Sequence, residues 1–74
     1  MAPPHLFHRF ILMTTEQQVH TLLTANRFGG LFMRRLAVAG LVADPTNRAL
    51  IFQHWPKLAQ DYGPTSCLYS EDLG

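Results

Sequence analysis

The four histidines are the first candidates for chemistry in this sequence, because imidazole nitrogens bind metal ions and transfer protons. His5 and His8 stand three residues apart and would share a face only in a helix, which the two preceding prolines disfavour. His20 and His54 are far apart in sequence, and no histidine has a complete set of ligands around it. The sequence therefore predicts no metal site, and we expect no cofactor.

The other groups that catalyse reactions are not arranged for catalysis either. Cys67 follows no helix start that would lower the pKa of its thiol, and the nearby serines lack the motif of an activated nucleophile. Glu71 and Asp72 are adjacent, so no rigid framework separates an acid from a base. Gly29-Gly30 is not followed by the lysine of a phosphate-binding loop. We therefore predict that the chain is not an enzyme.

Charge is scarce and unevenly distributed along the chain. Only 15% of the 74 residues are charged, which leaves much of a small surface uncovered by charge. Residues 27–57 hold five cations and one acid, whereas residues 58–74 hold three acids and no cation. The net charge of +1 is too low to indicate nucleic acid by itself. Because exposed apolar surface marks contacts with another chain, we predict a protein partner or self-association.

Arginine and aromatic residues dominate protein interfaces, and acidic residues steer basic partners. The predicted partner-binding residues are Arg34, Arg35, Phe32, Trp55, Glu71 and Asp72. Neighbours on a helix point about 100° apart, so at least one of the two arginines must reach solvent or a partner. The alternative is that Trp55 belongs to the core of so small a domain and that the arginines form a solvated edge.

The elements that would position these side chains are helices. Thr15 with Gln18 fits a capping box, and apolar residues at helical spacing then predict a helix over residues 15–26. An apolar run predicts a second helix over residues 31–39, nearly all buried, with one basic edge. Gly40 would close this second helix in a left-handed conformation.

The segment that follows allows two interpretations. Asp44 and Pro45 form a strong helix start, and Pro56 would divide the helix into two pieces, the second of which covers about residues 56–62 and ends at Gly63-Pro64. Alternatively, residues 41–43 pair with residues 49–52 as a hairpin across a turn. The helical interpretation is favoured because the alternation of apolar and polar residues that a strand needs is poor.

The predicted fold is therefore all-α: a single domain over residues 1–74, built as a small bundle of three to four short helices. Residues 1–12 would form an extended apolar arm, residues 13–63 the helical core, and residues 64–74 an extended acidic tail. No apolar stretch is long enough to span a membrane. The features of a secretory signal are missing, so an intracellular, cytoplasmic location is expected.

Residues 34–52, RRLAVAGLVADPTNRALIF, resemble the end of a winged-helix DNA-binding domain. In that family, a recognition helix carrying arginine ends in Ala-Gly-Leu-Val and a short hairpin wing follows. The resemblance implies Arg34 and Arg35 on the recognition helix, Arg48 in the wing, an α+β fold with a hairpin at 41–52, and a nucleic-acid partner. The residues themselves favour a small non-catalytic binding protein, an accessory subunit or inhibitor-like regulator; the nucleic-acid regulator is the alternative.

Overall fold

The computed structural model describes residues 13–71, and within this range the chain forms four helices and no strand. They are α1 (Thr15–Phe28), α2 (Leu31–Val42), α3 (Pro45–His54) and α4 (Pro56–Tyr62). The all-α prediction is confirmed. The predicted arm over residues 1–12 lies outside the described residues, as does Asp72.

The first helix begins with the predicted kind of cap, one residue earlier than predicted. The Thr14 hydroxyl accepts a hydrogen bond from the Gln17 N–H at 3.0 Å, and the Gln17 side-chain oxygen accepts one from the Thr14 N–H at 3.0 Å. This is a capping box. The prediction of Thr15 and Gln18 was wrong because both positions are doublets, so two registers one residue apart carry the same motif.

The alternative hairpin over residues 41–52 is wrong, because most of this segment lies in α2 and α3. The Asp44 carboxylate accepts a hydrogen bond from the Asn47 N–H at 2.8 Å, and Pro45 takes the first helical position. Both features satisfy or remove N–H groups that a helix start leaves unpaired. The wing that the winged-helix resemblance implies is therefore not formed by these residues.

Gly40 does not end α2, contrary to the prediction. The helix continues to Val42, and no residue between 13 and 71 has a positive φ. Gly40 is instead buried against α1, where an added Cβ would lie 2.8 Å from Cδ2 of Leu22. Glycine is required at this position for the close approach of two helices, and not for a left-handed turn.

A side chain from the next helix closes α2 instead. Nε of Arg48 donates to the carbonyl oxygen of Gly40 at 2.9 Å, and Nη2 donates to those of Leu41 and Ala43 at 3.2 and 3.4 Å. A helix end carries unpaired carbonyl groups and a partial negative charge, and a guanidinium satisfies both. Arg48 thus lies on α3 with its side chain engaged in the fold, and not in a wing.

The core receives a contribution from every helix. Its fully buried apolar side chains are Leu22, Ala25, Ala37, Phe52 and Leu58. α1 packs against α2 and α4, while α3 contacts α2 and α4. Two buried threonines of α1 lose no hydrogen bond, because the hydroxyls of Thr21 and Thr24 donate at 2.7 Å to the carbonyl oxygens four residues earlier.

Residues 64–71 are folded in turns, where an extended tail was predicted. The Ser66 hydroxyl donates to the Asp61 carbonyl at 2.6 Å and accepts from the Leu68 N–H at 3.1 Å. The Ser70 N–H then donates to the hydroxyl of Thr24 at 3.4 Å. These contacts return the C-terminal segment to α1, which a prediction from local composition could not include.

Candidate protein interface

The outer side of α2 is apolar and exposed. Four exposed residues at steps of four, three and four form what we call the outer stripe: Leu31, Arg35, Val38 and Val42. These steps keep the four side chains within about 60° of one another around the helix. Leu31 is 67% exposed and Val42 is 81% exposed. The prediction that α2 is nearly all buried was wrong, because only Ala37 and Gly40 are buried in it.

An exposed aromatic pair lies beside this stripe. The rings of Phe32 and Trp55 have centroids 6.1 Å apart and are tilted by 55°. Phe32 is 59% exposed and Trp55 is 40% exposed, so the alternative that placed Trp55 in the core is wrong. Trp55 lies at the junction of α3 and α4, where Pro56 starts the next helix and fixes the bend. The structure therefore brings together two of the predicted partner-binding residues.

Arg34 and Arg35 are both exposed, which confirms that at least one of them reaches solvent. Within residues 13–71, neither side chain has a hydrogen bond, an ion pair or a ring contact. The nearby Arg27 behaves differently, since its guanidinium lies 5.5 Å from the centroid of the Phe28 ring. No carboxylate of the described residues therefore neutralises the two exposed arginines of α2.

The acidic residues of the predicted set do not join this surface. Glu71 is exposed and lies near the start of α1, and no ion pair connects it to either arginine of α2. Asp72 lies beyond the described residues. The predicted residues are therefore divided between several regions. Around α2, Arg35 lies about 60° from Phe32, whereas Arg34 lies about 160° from Phe32, at the opposite border of the outer stripe.

A polar concavity of about 400 Å³ is found where the C-terminal segment meets α1. Its lining residues are Thr14, Glu16, Gln17, His20, Tyr69 and Glu71. The rings of His20 and Tyr69 meet edge to face, with centroids 6.5 Å apart. Among residues 13–71, neither the buried Nδ1 of His20 nor the Tyr69 hydroxyl has a hydrogen-bond partner. Burial raises the pKa of the Tyr69 phenol above its ordinary value, and the charges of Glu71 and Glu16 raise it further.

The described residues do not assemble a catalytic or metal centre. Cys67 is an exposed free thiol in a turn, and no hydrogen bond connects it to a histidine that would activate it. Between residues 13 and 71, no group of three or more His, Cys, Asp or Glu side chains is placed to hold a metal ion. His5 and His8 lie outside this range.

Two parts of the arrangement were missed by sequence reasoning. The apolar members of the outer stripe were expected to be buried, because a helix that is apolar all round gives no periodic signal for its exposed side. A usable signal was the pair of small residues Ala37 and Gly40, three apart, which marks the side that approaches another helix. The role of Arg48 had no local signal, since its acceptors lie five to eight residues away.

In comparisons with known proteins, no family model matches this chain, and no curated protein or solved structure is detectably similar to it. The longest of the four helices, α1, has 14 residues, and none of the described helices is long and apolar enough to cross a membrane.

Proposed function

We propose that this chain is a small non-catalytic binding protein that acts through protein–protein contacts, as an accessory subunit or an inhibitor-like regulator. The observation that carries the proposal is the exposed pair of Phe32 and Trp55 beside the outer stripe, in which the side chain of Arg35 has no partner among residues 13–71. Tryptophan and arginine are the residues that most often dominate binding energy at protein interfaces, with tyrosine. The exposed parts of the two rings contribute nothing to the stability of the isolated chain, although their contact with each other does.

The size of the pair indicates how far the interface must extend. The exposed parts of the two rings amount to about 200 Å² in total, and covering them would release about 5 kcal/mol. Association costs at least about 4 kcal/mol in lost freedom of movement. The pair alone therefore gives weak binding at best, and a stable complex must also cover apolar residues of the outer stripe.

The test is to purify the tagged full chain from cell extract and identify the proteins that remain bound by mass spectrometry. A variant with Phe32→Ser and Trp55→Ser should lose those proteins. The matched control is Leu50→Ser, which removes an exposed apolar side chain of α3 that is 43% exposed. Retention of every partner by the double variant would contradict the proposal, as would the absence of any partner of the parent chain.

The nucleic-acid alternative has less support, because the segment that would form the wing is helical. Several phosphate contacts would give a steep loss of DNA affinity with salt, so a salt titration separates the two functions. A cytoplasmic location is part of the proposal. The exposed, unpaired thiol of Cys67 supports it, because reducing compartments keep such thiols reduced.

A further inference from the structure

The outer stripe of α2 has the length and width of a binding surface for one helix. Its four residues cover about 17 Å of helix length and lie along one side of α2 only. Leu31, Val38 and Val42 are spaced so that a second helix, packed lengthwise on α2, could cover all three. A row of this length matches about three turns of a second helix.

The charges around the stripe define what such a helix must carry. Arg35 lies within the stripe and Arg34 at its border, and neither has an anionic partner between residues 13 and 71. Asp44 is the one acid in residues 27–57, and its carboxylate already caps α3. A docked partner must therefore supply its own carboxylates opposite the two arginines. Without them, the guanidinium groups would lose their hydration at the interface and would gain no ion pair in return.

We propose that the partner segment is an acidic amphipathic helix that lies along the outer stripe. Its apolar side covers Leu31, Val38 and Val42, and its carboxylates pair with Arg34 and Arg35. This inference rests on the proposed function and specifies the chemistry of its partner. The aromatic pair, beside one end of α2, extends the contact beyond the stripe.

A second copy of the chain fits this face less well. A two-fold contact would bring the arginine pairs of both copies into one interface, where like charges repel. Apart from Asp44, the acids of the described residues are placed elsewhere: Glu16 on α1, Asp61 on α4 and Glu71 near the start of α1. A head-to-tail contact that used them would produce closed rings or open chains of molecules, and not a simple dimer.

An anionic bilayer also fits less well than a helix. Amphipathic helices that lie on membranes carry their basic residues on the polar side, away from the inserted apolar side. Here Arg35 lies within the apolar row, between Leu31 and Val38. Insertion would bury its guanidinium among lipid chains, whereas a partner helix can place a carboxylate opposite it.

The test measures binding of designed peptides to the full chain by isothermal titration calorimetry. The probe peptide has about 14 residues, with leucines at helical spacing, glutamates beside them and alanines elsewhere. One control has the same composition in an order that spreads the leucines around the helix, and a second has lysine in place of glutamate. We expect the probe to bind about tenfold more tightly than the scrambled control and the lysine peptide not to bind.

Variants of the chain locate the contact. Arg34→Glu with Arg35→Glu should weaken binding of the acidic peptide by about 10- to 100-fold and create binding of the lysine peptide. Val38→Ser with Val42→Ser should weaken binding of the probe, whereas the matched control Leu50→Ser should leave it unchanged. All of these residues are exposed, and circular dichroism checks that each variant keeps its helix content.

The other outcomes overturn the inference in different ways. Equal binding of the probe and the scrambled peptide would mean that charge alone attracts, and no helix is recognised. Failure of every peptide, with a dimer in sedimentation, would assign the face to a second copy and leave protein binding intact as the function. Binding to phosphatidylserine vesicles, with neither peptide binding nor a protein partner, would overturn both this inference and the proposed function.

Discussion

Replacing Gly40 by alanine changes the free energy of unfolding in two opposite ways, through helix preference and through packing against Leu22. In an ordinary helix interior, alanine is more favourable than glycine by about 1 kcal/mol. Here the new Cβ would lie 2.8 Å from Cδ2 and 3.1 Å from Cδ1 of Leu22, which is fully buried and cannot turn aside freely. Overpacking of this kind costs about 1–3 kcal/mol. We therefore expect Gly40→Ala to lower the free energy of unfolding by about 0–2 kcal/mol.

A double-mutant cycle separates the two effects. Leu22→Val removes both Cδ atoms, and although it costs about 1–2 kcal/mol by itself, it should convert Gly40→Ala into a change that stabilises by about 1 kcal/mol. Urea unfolding followed by circular dichroism gives each free energy. The control is Ala39→Gly, an exposed neighbour in α2, which reports the helix preference without the contact. The reasoning is refuted if Gly40→Ala stabilises the parent chain by the full amount and the two changes are additive.

Three more predictions follow from the caps and from the polar concavity. Gly30 starts α2 without a side-chain cap and has open space around it, so Gly30→Ser should raise the free energy of unfolding by about 0.5–1 kcal/mol in urea titration; no gain would contradict this. Arg48→Met should lower the free energy of unfolding by about 1–2 kcal/mol. Arg48→Lys should restore only part of the loss, because an ammonium keeps the charge but not the separate N–H donors with which the guanidinium reaches several carbonyl groups; equal stability of all three chains would refute the capping role. The pKa of Tyr69 is raised above 10.0, so its stabilising contribution is complete below pH 10 and is lost as the pH rises through the raised value; Tyr69→Phe should remove this alkaline loss. Ultraviolet titration of tyrosinate should show that Glu71→Gln lowers the pKa of Tyr69 without restoring 10.0, because burial is the larger cause.

The starts of the helices could be predicted because their signals are local. Asp44 with Pro45 and Pro56 mark the beginnings of α3 and α4 in sequence, and the structure places both starts there. The end of α2 could not be predicted in this way. A glycine followed by a leucine imitates a C-terminal cap, but the carbonyl groups there are satisfied by Arg48 from the next helix. Only the packed tertiary structure brings that side chain to them.

The residue types of the candidate interface were predictable from the sequence. The side of α2 on which the interface lies was harder to predict. Phe32, Trp55 and the arginines were identified because such side chains anchor complexes, and the structure exposes them. The exposed side of α2 was missed because apolar residues lie on most sides of this helix, and the small residues Ala37 and Gly40 were the one signal for its buried side. That orientation depends on Gly40, because the missing side chain is what lets this side of the helix approach Leu22.

The position of Trp55 also determines what the chain's intrinsic fluorescence reports. It is the one tryptophan in the sequence, and its indole is partly in water beside Phe32, outside the buried core. A partner that covers the aromatic pair would move the emission of this indole to shorter wavelengths. Unfolding exposes the covered part of the indole and moves its emission in the opposite direction, to longer wavelengths. The chain therefore carries an unlabelled optical sensor that distinguishes occupation of its surface from loss of its fold by the direction of the spectral shift.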